Sequence, residues 1–398
     1  MTQCSTPNFD ANLNPEGFVI DLDSLYASLA RLKDSRHARG IRYSLVTILV
    51  CVVLAKLAGE DYLAGIAEWV AKRTPTLSEM LHWVKLRAAH RTTYSRILGQ
   101  VIKIADLEQV VHDYFANLDQ AGKSVLLNLD GKTLRGTIPA GQTRGVHLLA
   151  AYLPAEGWVL AQVEVDRKEN EIPASARLLK ALALQGKIIT GDALLAQRDL
   201  SRQIVEAHGD YVWTLKGNQP QMCEDLVTLF AGEKTVPGFS PATKDFRTAQ
   251  TSEKGHGRIE RRTLTASTEL KGYGDWPYAE QVFKLGRYFK RTRDGHVTHE
   301  VVYGITSLTA QEAGPTRLLE LIRSHWGIEN GLHYRRDETL REDWCHLKQG
   351  HAPRAMAVIN NLIVGLVLRL GYPNLAEARR YFDAHPQATQ RLVLLHFP

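Results

Sequence analysis

Cysteine is scarce in this 398-residue sequence. Cys4, Cys51, Cys223 and Cys345 stand far apart and form no C-x-x-C pair. That excludes a disulfide framework, leaves a structural zinc site without support and fits a reducing cytoplasm. Long apolar runs are also missing. Leu45 to Leu57 and Met356 to Leu370 fall short of the roughly 20 apolar residues a bilayer requires. The first is broken by Lys56, the second by Asn360, Asn361 and Arg369. Both are expected to be buried core helices, with no membrane partner. The first residues, MTQCSTPNFDANLNPEGF, carry neither an early basic region nor an apolar stretch, so no signal peptide is expected. There is no internal repeat and no low-complexity segment. Nor is there an acidic excess: 49 Lys and Arg face 43 Asp and Glu, a net charge of +6. A basic balance favours polyanionic partners such as nucleic acid.

The hydrophobic pattern divides the chain. Residues 1–17 are rich in Asn, Pro and Ser and are expected to be a disordered tail. From 18 to about 120 apolar residues recur every three or four positions, which predicts a helical N-terminal domain. Residues 121–370 alternate between strand and helix patterns. Ser124 to Leu129 reads as a buried strand ending at Asp130-Gly131, and Val146 to Leu153 and Val159 to Val165 as a hairpin. Helices are then expected at Ile172 to Leu184, Gln197 to His208 and Glu224 to Phe230. Strands at Lys187 to Thr190 and Tyr211 to Leu215 separate them. Such an order predicts an α/β fold, a mixed sheet covered by helices. A β-rich insertion is expected at about 232–308, with strands Ile259 to Ala266, Ala279 to Tyr288 and Glu300 to Thr306. A long helix starts near Pro315, where proline suits the first turn, and runs through Glu329. Residues 371–398 form a C-terminal tail.

Asp130 and Asp192 each follow an apolar strand. Strand ends in α/β proteins converge on a shared crevice, and two carboxylates brought together there repel unless a proton or cation intervenes. Mg²⁺ suits such hard oxygens and keeps waters for substrate phosphates. The same residues also suit a turn, as Asp130-Gly131, and a helix cap, as Asp192. In the segment Ile322 to Arg336, His325, Glu329 and His333 are four apart. On a helix they share one face, and Arg336 extends the stripe. A carboxylate among cationic groups fits a metal and phosphate site; a solvated face of i, i+4 pairs is the alternative.

Taken together these segments resemble the H-repeat-associated type of insertion-sequence transposase in the DDE superfamily. The matching stretches run along nearly the whole chain: Asp34-Ser-Arg36, Arg39 to Tyr43, Ala58 to Tyr62, Asn128 to Gly136, Lys168 to Pro173, Gly191 to Leu194, Lys216 to Pro220, His256 to Glu260, His325 to Asn330 and Arg341-Glu-Asp343. The resemblance implies a ribonuclease-H-like core in which Asp130, Asp192 and Glu329 hold two Mg²⁺ ions, with Mn²⁺ as a substitute. His325, His333 and Arg336 would support them; Glu338, Glu342 and Asp343 are rival third ligands. It further implies cleavage of double-stranded transposon ends and 3′-hydroxyl transfer to target DNA by a homo-oligomer in the bacterial cytoplasm. A nuclease without strand transfer and an inactive DNA-binding relative are the competing readings. Arg258, Arg261, Arg262, Arg291 and Arg293 in the insertion are candidates for phosphate contacts, as are the bases between Arg31 and Arg42.

Overall fold

The computed structural model describes residues 24–395 apart from 81–86, 118–124, 232–244, 256 and 273–274. The expected tail at 1–17, the start of the insertion and His256 lie outside the described residues. The N-terminal region is helical: α1 (Leu25–Ala30), α2 (Leu45–Leu57), α3 (Leu63–Met80), α4 (Arg91–Arg96) and α5 (Ile104–Ala116). Ser44 starts α2 by accepting the Thr47 N–H at 3.1 Å, a side-chain N-cap. Nearly every residue of α2 is buried, which is why its sequence is apolar all round. Lys56, fully buried, meets Asp61 at 3.4 Å. Asp61 also takes Arg379 at 2.8 Å. A buried charge survives only when paired, so the Ala58–Tyr62 motif is a structural clasp.

The core follows with β1 (Leu126–Leu134), β2 (Val146–Leu153), β3 (Trp158–Val165), α6 (Glu171–Lys180), β4 (Ile188–Gly191), α7 (Arg198–Glu206), β5 (Asp210–Leu215) and α8 (Pro220–Ala231). Four more strands come next: β6 (Arg247–Gly255), β7 (Arg258–Ser267), β8 (Gln281–Arg291) and β9 (Val297–Thr306). The chain ends in α9 (Pro315–His325), α10 (Ala352–Arg369), α11 (Leu375–Ala384) and α12 (Pro386–Leu394). All strands belong to one nine-stranded sheet, ordered β3-β2-β1-β4-β5-β9-β8-β7-β6. In its first half β1 is antiparallel to β2 and parallel to β4, and β4 is parallel to β5. This is the ribonuclease-H-like arrangement.

The strands of the insertion join the core sheet: β9 pairs with β5 from Val212↔Thr306 to Leu215↔Tyr303. Two expectations change. β1 does not stop before Asp130 but runs on to Leu134, with Asp130 opposite Ala150. The helix begun at Pro315 ends at His325; a turn at Trp326 leads into π-helical turns at Glu329–His333 and Arg335–Thr339.

Two layers cover the sheet. Leu318, Leu319, Leu321 and Ile322 of α9 pack against Leu126, Ile188, Val212, Leu264 and Leu285 on one face. The other face carries Leu127, Leu129, Tyr211 and Trp213 under α6, α7 and α8. The helix α10 is long and apolar enough to cross a membrane, but 83% of it is buried within the protein, as expected of a core helix. The segment 371–395 folds back as α11 and α12 against α1 and α2.

Candidate active site

The register of the sheet sets the site. Asn128 of β1 stands beside Thr190 of β4, so two residues further on Asp130 is level with Asp192. Beyond Gly191 the strands part: β1 continues while β4 ends, and the gap between them is the crevice. The polar pair behind it is tied to α9. Thr190 Oγ1 donates to Asn128 Oδ1 at 2.8 Å, and Asn128 Nδ2 donates to the Ser324 carbonyl at 2.8 Å. His325 Nδ1 lies 3.1 Å from Thr190 Oγ1. Burial of the ring pushes His325 down to about 4, so it is neutral and acts as a half-buried strut rather than a charge.

Glu329 comes to Asp130 from the π turn after α9. The carboxylates of Asp130 and Glu329 and a ring nitrogen of His333 all lie within 4.8 Å of one another. His333 Nδ1 sits between them, 3.4 Å from Asp130 Oδ2 and 3.3 Å from Glu329 Oε2. Its Nε2 is buried without a hydrogen-bond partner. Burial pushes the Asp130 carboxyl up to about 6, against the pull of His333. The His333 hydrogen bond holds Glu329 below the usual carboxylate range. One imidazole thus serves two acids, and the remaining charge is unbalanced. Two converging carboxylates offer hard oxygens that suit a divalent cation, so the residues fit the group.

Asp192 lies outside that tight set. Its carboxylate accepts the Leu195 N–H at 3.3 Å and caps the short turn Ala193–Leu195. Burial raises its carboxyl, and the nearby charge of Glu171 raises it further. Gly191 is required here, because a Cβ would meet the Trp213 ring and Leu195 at 2.9 Å. The Lys216–Pro220 motif clamps the turn: Asn218 Nδ2 donates to the Ala193 carbonyl at 2.6 Å, and Gln219 Nε2 to that of Ala196 at 3.0 Å.

Sequence reasoning passed over Glu171 as a site residue. It stands in the first turn of α6, paired with His147 at 2.8 Å. Its charge acts on both Asp130 and Asp192. Its carboxylate occupies the space where a side chain at 131 would be, so a Cβ on Gly131 would collide with it. The Lys168–Pro173 motif was the available signal.

Arg336 is not brought to the acids. The π turns rotate it into the interior, 1% exposed, where its guanidinium bonds Glu342 at 2.8 and 2.7 Å. Asn360 completes that carboxylate at 2.7 Å. Lys132 is likewise paired, to Asp337 at 2.6 Å and to Asp343 at 3.9 Å. Glu342 and Asp343 are thereby engaged elsewhere. In the insertion, Arg262 is buried between Glu253 and Glu260. Arg258 pairs with Glu260 at 3.6 Å and Arg291 with Asp294 at 2.9 Å. Arg261 and Arg293 are exposed. At the N-terminus Arg36 is held by Asp34 at 2.6 Å.

Two known families match the chain. Residues 26–115 match the family described as DDE_Tnp_1-associated, and residues 122–366 match the Transposase DDE domain. The chain is 25% identical to YbfL of Escherichia coli (strain K12) over 357 residues, 87% of this chain and 91% of the relative. It is 24% identical to the H repeat-associated protein YhhI of the same strain, with the same shares covered. A Xanthobacter autotrophicus protein encoded in the dhlA 3′ region is 34% identical over 275 residues, 67% of this chain and 88% of the relative. Among solved structures, a piggyBac transposase synaptic complex with hairpin DNA superposes with a TM-score of 0.44 at 10% identity, covering 93% of this chain and 78% of that one. DDE domains are those of metal-dependent polynucleotidyl transferases. The chain belongs to the DDE transposase family.

Proposed function

We propose that this protein cuts double-stranded DNA at the ends of an insertion sequence and joins the freed 3′-hydroxyl to target DNA, with Asp130, Asp192 and Glu329 as the acids of the reaction. The observation that carries the reading is the convergence of Asp130 and Glu329 on one imidazole, level with Asp192 across the β1–β4 gap. Asp130 and Glu329, and Asp192 from the facing turn, would hold two divalent ions, Mg²⁺ or Mn²⁺. Such a pair, when bound, activates the attacking oxygen and stabilises the leaving one. The chain's own part is to fix the acids. His333 holds Asp130 and Glu329 at a common point, His325 and Thr190 lock α9 onto the sheet, and Asn218 and Gln219 hold the Asp192 turn.

In the first step water adds to the scissile phosphorus, and the 3′ oxygen departs with a proton. In the second that 3′-hydroxyl adds to a target phosphate and displaces its 3′ oxygen. No bond between protein and DNA forms. The test is a strand-transfer assay on DNA carrying the element's ends. Joined product with Mg²⁺, lost on Asp130→Asn, supports the reading. Cleavage with no joined product under any divalent ion would reduce the protein to a nuclease.

A further inference from the structure

The ribbon β6–β9 segregates its charges by strand parity. Side chains alternate between the two faces of a strand, and the register places Glu253, Glu260, Arg287 and Glu300 on one face. The three glutamates are all the acids the four strands carry. That face lies under α9: Arg323 bonds Glu253 at 2.7 Å, and Arg287 stacks on Trp326 at 3.2 Å. The opposite face has no acid on any of the four strands. It presents Lys254, Arg261 and Lys290, all exposed, with Tyr288 beside Arg261 and His299 beside Tyr288. Among the described residues none of the three bases has an ion-pair partner. The helix α8 covers only the inner part of this face, where Phe230 meets Tyr303.

We infer that this outer face of β6–β9 is a docking surface for the phosphate backbone of duplex DNA next to the cleavage point. The inference rests on DNA being the substrate, as proposed above. Position supports it. β9 runs antiparallel to β5, so its first residues, Val297 to Tyr303, project about 20 Å beyond Leu215. That is the same end of the sheet at which Asp192 follows β4. Charge supports it as well: unpaired cations without a neighbouring acid release phosphate counterions on contact, which paired cations do not. Arg258 and Arg291, one residue away in sequence from this face, point to the other side and are already paired.

The matched experiment removes two charges from either face of the full chain. Lys254→Ala/Lys290→Ala and Arg258→Ala/Arg291→Ala are titrated with a random duplex of about 40 base pairs, in EDTA, across salt concentrations. The first double variant should flatten the salt dependence of log K by about 1.8, two contacts at 0.9 each, and weaken binding about tenfold at physiological salt. The second should change neither by half as much. Equal effects from the two, or a mass change on the ultracentrifuge with no change in DNA binding, would overturn the docking surface, the latter pointing to a second copy of the chain. Absence of salt-dependent binding by the unaltered protein would remove the DNA reading itself and this surface with it.

Discussion

Two carboxylates follow α9 within fourteen residues of each other, and they are treated in opposite ways. Glu342 is 5% exposed, ion-paired and hydrogen-bonded by Arg336 and hydrogen-bonded by Asn360. Burial works against its charge, but Arg336 and Asn360 outweigh it and hold the carboxyl below the usual range. Glu329 is 72% exposed and shares a single imidazole with Asp130. The first arrangement closes its charges and ties the π turns to α10. The second leaves negative charge over, which no structural purpose requires. The contrast separates a scaffold from a site: both are clusters of acids and bases, and only one is short of cations.

The sharpest way to break the comparison is to exchange the expected losses. Asp130→Asn and Glu329→Gln should lower strand cleavage by about a hundredfold or more, on the scale of losing one preorganised group, with the melting temperature unchanged or raised. Arg336→Ala should do the reverse in kind. It leaves Glu342 buried and unpaired, costing about 3–5 kcal/mol in urea unfolding. If Glu329→Gln destabilised the fold as much as Arg336→Ala, the distinction would be gone. His333→Gln comes next, with divalent-ion affinity falling about 10–100-fold, as for groups that orient ligands. Gly131→Ala should give a smaller loss of cleavage by displacing Glu171, and Glu171→Ala placed behind it should restore part of the loss.

The smallest effect concerns pH. Burial makes Asp130 keep its proton up to about 6 in the folded chain, against an ordinary carboxyl value of 3.8. The folded state therefore binds this proton more tightly than the unfolded one. Its ionisation imposes no penalty below about pH 4, a growing one through pH 4–6 and a full one above. A cation that requires the ionised form relieves that penalty. The rise in melting temperature with Mg²⁺ should accordingly be greater at about pH 7.5 than at about pH 5; an equal rise at both would detach Asp130 from the ion.

Much of the frame was legible because its signals are local. Val146 to Leu153 reads as a strand from its apolar run, and β5 is found within a residue of its expected start. What escaped depends on tertiary context. Asp130-Gly131 carries turn chemistry, yet Gly131 to Leu134 pair with β2 and the strand goes on. The β6 sequence Arg-Thr-Ala-Gln-Thr-Ser-Glu-Lys-Gly has no apolar alternation, because it is a sheet edge whose side chains are mostly solvated. The spacing of His325, Glu329, His333 and Arg336 fits one face of an α-helix. A π turn closes i to i+5 instead, which keeps Glu329 with His333 and sends Arg336 inward. Glu171 lies in the Lys168–Pro173 motif, but its approach to the crevice was not legible, since α6 brings it there from the opposite face of the sheet.

Mn²⁺ binding, followed by water-proton relaxation, tests the central contrast most directly. The account predicts that the unaltered protein binds the ion and that Asp130→Asn or Glu329→Gln weakens binding sharply. Glu342→Gln should retain it for as long as it stays folded. Undiminished Mn²⁺ binding by Asp130→Asn, or its loss in folded Glu342→Gln, would contradict the assignment of site and scaffold.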